Sequence, residues 1–175
     1  KARLALHLHN DWLNTDVRFA KEYKSSYDEI WTISNFIKQK VDKIEGETIT
    51  KVLYNGVDLS LFSEENKRSH DKHSRKEMQI NDDDFVIGAC SRIVEEKGII
   101  QLQNAVNLVA STYQLHNLKL VIIGDISSDS NYVQDVKRNA NQNNIFTGYI
   151  RHSELVEVLS VVDVMVAPTV HLMRY

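Results

Sequence analysis

FVIGACSRIVEEKG, residues 85–98, opens on a continuous apolar run and closes on a charged turn that ends in glycine. The run lacks polar alternation, which suits a strand buried on both faces, as in a parallel sheet covered by helices. Downstream, Ile99, Leu102, Ala105, Val106 and Val109 recur at helical spacing and predict a helix starting near Gly98. LKLVIIGD (118–125), YVQDVKRNA (132–140), NIFTG (144–148), SELVEVLSVV (153–162) and DVMVAP (163–168) continue the alternation of strand and helix. That order predicts a doubly wound α/β sheet, cut short.

Upstream, RLALHLH (3–9), EIWTI (29–33) and TITKVLY (48–54) read as strands, and NTDVRFAKEY (14–23) as a helix. Ser34 is a good N-cap for a further helix whose Phe36, Ile37, Val41 and Ile44 fall on one face. Between the halves, NGVDLSLF (55–62) begins with an Asn-Gly turn signal, and residues 63–84 are charged almost throughout. They predict a crossing linker and a charged surface helix.

Composition narrows the function classes. The 175 residues are 42% hydrophobic and 26% charged, enough to bury about two-thirds of the unfolded surface in a packed core. A net charge of -3 gives no sign of a nucleic-acid or anionic-membrane surface, so no nucleic-acid partner is expected. Cys90 is the single cysteine, which rules out an intramolecular disulfide. No apolar run approaches the roughly 18 residues of a membrane span.

In doubly wound sheets ligands bind beyond the carboxyl ends of the strands, which places Arg92 and Lys97 at the binding edge. The turn carries neither GxGxxG nor the Walker lysine pattern, so an anion would be held by side chains. Arg92 offers a planar fork for two phosphate oxygens, and Lys97 a mobile charge beside a helix N-terminus. The structural alternative is that both pair with Glu95 and Glu96 on the surface. Cys90 reads as a small core residue, and the acidic pairs Glu95–Glu96 and Asp82–Asp84 as solvated turns.

NGVDLSLF, SRIVEEKG, LKLVIIGD, NIFTGYI and SELVEVLSVVDVMVAPT, in that order and spacing, resemble the family 4 (group 1) glycosyltransferases of the GT-B fold, from about residue 28 to 169. The resemblance implies an α/β fold of GT-B type with Rossmann-like parallel sheets, both domains incomplete. Residues 1–54 would end an N-terminal, acceptor-side domain, 55–84 would be the inter-domain linker and charged helix, and 85–175 would begin the nucleotide-sugar-binding domain. It implies a retaining transfer from a nucleotide-diphosphate sugar such as a UDP-sugar to a saccharide or glycolipid acceptor. No cofactor is implied and no metal is needed. The expected setting is polysaccharide or glycolipid assembly in the cytoplasm, with peripheral membrane association of the full-length protein.

By the same resemblance Arg92 and Lys97 hold the donor diphosphate, and Gly124, Asp125, Tyr149 and Ile150 line the nucleotide pocket. His9 contacts sugar or acceptor and joins Arg92 and Lys97 as a catalytic residue, while Asp163 reads as a helix-to-strand connector. The chain departs from the family pattern in having Ser91 where a glycine is usual. It also lacks the first strand and glycine loop and the later helix with paired glutamates, so by itself it should be inactive. HLHND (7–11) leaves open a zinc hydrolase, since His7, His9 and Asp11 would share one face of a strand. A non-catalytic nucleotide-diphosphate-binding module is the other alternative.

Overall fold

Short β-rich runs and a well-capped helix build the first unit, Lys1–Asp58, of the two into which the chain divides. The structure, a computed structural model, describes residues 2–9, 21–22, 24–44 and 47–170. Strands β1 (Ala5–Leu8), β2 (Glu29–Thr32) and β3 (Ile49–Val52) form a parallel sheet in that order, with Leu6 opposite Ile30 and Ile30 opposite Thr50. Helix α1 (Asn35–Asp42) starts where the Ser34 hydroxyl accepts the Ile37 N–H at 3.2 Å. Leu8, Ile30, Ile37 and Val41 form the core, with Ile44 packed against it. Phe36, expected on the same face, is instead 62% exposed and carries the Lys40 ammonium 4.5 Å above its ring. Most of NTDVRFAKEY lies outside the described residues, although Lys21 and Glu22 are helical.

Lys24 is 3% exposed, and its ammonium donates to the carbonyls of Val41 at 3.2 Å and Ile44 at 2.8 Å. It thereby satisfies the Ile44 carbonyl and adds to the Ile44 N–H on the Val41 carbonyl, at the negative end of the helix dipole.

The second unit, Leu59–Tyr175, is a four-stranded parallel sheet in the order β6-β5-β4-β7. Its elements are α2 (Glu64–Glu77), β4 (Phe85–Cys90), a single 3-10 turn (Glu95–Lys97), α3 (Ile99–Tyr113), β5 (Leu118–Ile123), α4 (Asn131–Arg138), β6 (Asn144–Gly148), α5 (Leu155–Ser160) and β7 (Val164–Met165). The chain steps outward from β4 to β5 and β6, then crosses back to pair β7 on the other side of β4. β5 is buried on both faces. Leu120 and Ile122 join Ile99, Leu102, Val106, Val133 and Val136 in one core, while Val121 and Ile123 join Val86, Val158 and Val161 in the other.

The charged helix α2 belongs to this second unit. It packs against α5, and the Lys67 ammonium donates to the Val162 carbonyl at 3.3 Å. The Arg75 guanidinium donates to the carbonyls of Asn81 at 2.9 Å and Asp84 at 3.2 Å. Asp163 is the connector the sequence suggested: its carboxylate accepts the Val86 N–H at 2.8 Å, and its own N–H donates to the Val86 carbonyl at 2.9 Å, which fixes the entry of β4.

Three sequence expectations change. Ala105 and Val109 are exposed, and the face of α3 toward the sheet is Ile99, Leu102, Gln103 and Val106. Gln103 is fully buried because its carboxamide nitrogen donates to the Val136 carbonyl at 3.1 Å and to Asn144 Oδ1 at 2.8 Å. Asp84 is 6% exposed and no solvated turn, for its carboxylate accepts the Asn81 N–H at 2.8 Å. Cys90 is exposed at the end of β4 rather than part of the core.

Candidate functional site

The loops that follow β4, β5 and β6 meet at the carboxyl end of the sheet, where they enclose a cleft of about 490 Å³. Ile93, Ile123, Val133, Ile150 and Leu155 supply apolar walls, and Arg92, Asp125, Ser128 and Ser130 supply polar groups. Five of the residues singled out in the sequence, Arg92, Gly124, Asp125, Tyr149 and Ile150, come together around this cleft. Lys97 is not among its lining residues, and His9 belongs to the first unit.

Close packing fixes the loops. A Cβ on Gly124 would lie 2.3 Å from the Ser91 carbonyl oxygen, so only glycine lets the β5 loop pass the β4 loop this closely. Gly98 has φ 64°, and a Cβ there would lie 2.1 Å from the Pro168 carbonyl oxygen. The Val170 N–H also donates to the Glu96 carbonyl at 3.0 Å, which ties the cationic turn to the segment beyond β7. Ser91 needs no glycine in its place. Among the described residues only Gln79 and Gln114 are non-glycine positions with positive φ, so Ser91 sits without backbone strain.

Arg92 is 75% exposed, and its guanidinium pairs with Glu96 at 2.9 Å, one of the surface pairings foreseen as the structural alternative. Such an exposed i,i+4 pair is worth about 0.3–0.5 kcal/mol, whereas hydrogen bonds to charged groups contribute about 1.5–3 kcal/mol, so a diphosphate can displace Glu96. Lys97 is half-buried and has no ion-pair partner among the described residues. Its N–H donates to the Val94 carbonyl at 2.9 Å in the short turn before α3.

Asp125 faces its own loop, accepting the Ser127 N–H at 2.8 Å. The Ser127 hydroxyl and then its N–H hold the Asp125 carboxyl below the usual carboxylate range, so it is an anion at neutral pH and suits a hydroxyl rather than a phosphate. Tyr149 is 76% exposed beside Gly148, a glycine with φ 73° that turns the chain out of β6. In the first unit the His9 ring stacks at 4.3 Å, tilted by 50°, on that of His7, whose Nε2 is buried without a partner among the described residues.

Cys90, read as core, and Ser128 and Ser130, not singled out in the sequence, also line the cleft. Although Cys90 as a residue is exposed, the cleft walls partly desolvate its thiol and push it up, so it stays protonated and is a poor nucleophile. Ser130 caps α4, its hydroxyl accepting the Val133 N–H at 3.3 Å, and so brings the positive end of that helix to the cleft. Ser128 stands beside it. The Ser/Asp/Asn-rich run ISSDSN (126–131) ahead of an apolar-periodic segment was the signal for this cap.

The family model for group 1 glycosyl transferases matches residues 70–171, which takes in the second half of α2, the sheet of the second unit and the whole cleft. The chain belongs to the group 1 glycosyl transferases. An uncharacterized glycosyltransferase of Methanocaldococcus jannaschii is 29% identical over 159 residues, covering 87% of this chain and 40% of that protein. A glycosyltransferase structure from Rickettsia africae superposes with a TM-score of 0.72 at 19% identity, over 94% of this chain and 45% of its own. A sucrose-phosphate synthase from Thermosynechococcus elongatus gives 0.69 at 17% identity, over 94% and 44%. The fold is of GT-B type, and the chain spans less than half the length of these relatives. Family membership also sets aside the zinc-hydrolase alternative. HLHND itself lies partly outside the described residues, among which no group of three potential metal ligands is found.

Proposed function

We propose that this group 1 glycosyl transferase takes its sugar from a nucleotide-diphosphate donor and that the cleft between the β4, β5 and β6 loops is the donor site. The supporting observation is the convergence of Arg92, the α4 N-terminus and an apolar wall on one 490 Å³ cleft inside the matched region. The nucleobase lies against Ile150 with Tyr149 at the mouth, and Gly124 and Asp125 border the ribose. Arg92 swings from Glu96 to the diphosphate, and Lys97 adds its charge from the neighbouring turn. No metal is required, because these cations and the helix end neutralise the leaving group.

The transfer proceeds with retention. The bond from the anomeric carbon to the diphosphate oxygen breaks and its electron pair passes to that phosphate. The acceptor hydroxyl attacks from the same face, and its proton goes to the departing phosphate. His9 positions sugar or acceptor. One related fold, a trehalose-6-phosphate synthase, is an enzyme of glycosyltransfer with retention, and another, from Escherichia coli, is bound with UDP-2-fluoro glucose. A Staphylococcus aureus relative at 29% identity over 108 residues is named for capsular polysaccharide biosynthesis. We accordingly propose UDP as the donor nucleotide, a saccharide or glycolipid acceptor, and polysaccharide or glycolipid assembly at the cytoplasmic face of a membrane. No helix among the described residues is long and apolar enough to cross one, and we propose that the protein associates with it peripherally. The chain on its own should bind donor but turn over poorly.

The test is calorimetric titration of the chain with UDP and GDP, with and without EDTA, followed by turnover in the longer natural polypeptide. Binding that survives EDTA and is lost in Arg92→Ala/Lys97→Ala supports the reading. Binding without turnover in the longer polypeptide would leave a non-catalytic diphosphate-binding module instead.

A further inference from the structure

The second unit carries another pocket, of about 320 Å³, at the amino ends of β5 and β6, the opposite end of the sheet from the donor cleft. Its walls are the last turns of α3, the loop into β5 and the turn before β6. Four carboxamides line it, from Asn107, Gln114, Asn141 and Asn143, together with Ser111 and His116. In a chain with 26% charged residues, no lining side chain is a carboxylate, ammonium or guanidinium.

The hydrogen bonds show which groups are spoken for. Asn107 Oδ1 accepts from Asn141 Nδ2 at 2.7 Å, and Asn141 Oδ1 accepts the Asn143 N–H at 2.9 Å and Asn144 Nδ2 at 3.0 Å. Asn143 Oδ1 accepts the Lys119 ammonium at 3.4 Å. These bonds hold the asparagines in fixed positions, yet the amide nitrogens of Asn107 and Asn143 and the whole Gln114 carboxamide keep no partner among the described residues.

Gln114 supplies an independent observation. It ends α3 in the left-handed region, φ 53° and ψ 39°, where glycine is the usual residue. A side chain is kept there against a backbone preference that a glycine would relieve, the pattern of strain retained at functional positions.

The free Gln114 carboxamide presents a donor and an acceptor in one plane, and the Asn107 and Asn143 amide nitrogens add donors, which suits adjacent hydroxyls. An anion would call for cationic side chains and a metal for carboxylates or several imidazoles, and neither is present in the wall. Leu115, 39% exposed, offers an apolar contact for the C–H face of a ring. We propose that this pocket is a non-catalytic saccharide site that holds one neutral sugar ring of a glycan away from the donor cleft. It does not depend on the donor assignment, because it shares no residue with that cleft.

The experiment is two-dimensional NMR of the whole chain, following side-chain amide signals during titration with the methyl glycosides of glucose, galactose, mannose and N-acetylglucosamine, and separately with UDP. At least one glycoside should give saturable shifts at Asn107, Gln114 and Asn143, and UDP should leave those signals in place. Gln114→Gly should weaken that binding about tenfold through its lost hydrogen bonds while leaving the melting midpoint unchanged or higher. Asn107→Ala should weaken it as well. Absence of saturable shifts with all four glycosides, shifts confined to the donor cleft, or binding unchanged in both variants would overturn the proposal.

Discussion

Arg92→Ala is the substitution that weighs the donor assignment most directly. In the free protein the guanidinium is 75% exposed and tied to Glu96 at 2.9 Å, an arrangement that stabilises the fold by only about 0.3–0.5 kcal/mol. Bound to a diphosphate, the same group would make charge-assisted bonds of about 1.5–3 kcal/mol. Subtracting the lost Glu96 pair leaves about 1–2.5 kcal/mol, so Arg92→Ala should weaken UDP binding about 5- to 70-fold. The melting temperature should hardly move, because so little stability rests on the side chain. Glu96→Gln should act in the opposite sense and strengthen UDP binding about twofold by removing the competing carboxylate. Isothermal titration of the parent and both variants at fixed ionic strength gives each number. A folded Arg92→Ala protein that binds UDP within twofold of the parent would refute the argument, since nothing else in the cleft can take over a bidentate contact.

Gly98→Ala should lower stability by more than about 2 kcal/mol and weaken UDP binding with it, because a left-handed alanine costs about 1–2 kcal/mol before its Cβ meets the Pro168 carbonyl. Urea unfolding together with UDP titration checks this. Lys24→Met keeps the stem but orphans the Ile44 carbonyl and leaves the Val41 carbonyl only backbone donors, and should destabilise the first unit by about 1–3 kcal/mol. Both tryptophans, Trp12 and Trp31, lie in Lys1–Asp58, so tryptophan fluorescence reports that unit selectively. The raised thiol of Cys90 should make its alkylation by iodoacetamide slower than that of a free cysteine at neutral pH, accelerating only as alkaline pH is reached. The sign follows from burial: the folded state disfavours the thiolate, so stability contributed by the neutral thiol is present below the unfolded pKa and declines above it. Saturating UDP should slow the reaction further, as Cys90 lines the donor cleft.

Much of this protein is written locally along its chain. The unbroken apolar runs at 85–90 and 118–123 need two covering layers wherever they are placed, and that requirement yields a parallel sheet with helices on both faces. The Ser34 cap and the end of each helix are similarly decided by neighbours within a turn. Arg92 was legible as a site candidate because sheet topology sends the loops after the strands to one end, whereas Gly124, Asp125, Tyr149 and Ile150 became candidates only through the resemblance to the group 1 glycosyltransferases. Contacts between distant segments were not legible. Helical spacing marks a band on α3 wider than the sheet can cover, so only packing could put Val109 in solvent and the polar Gln103 in the core. Lys24 reads as a surface charge until the end of α1 supplies carbonyls for it, and Gly98 as a turn glycine until Pro168 presses against it. Cys90 ends an apolar strand in sequence, yet the strand stops at the lip of a cleft that residues between 123 and 155 help to wall. Periodicity and capping act over a few residues and can be read from order alone. Close approach, buried hydrogen bonding and the walls of a cleft depend on segments tens of residues apart, and those exist only once the chain has folded.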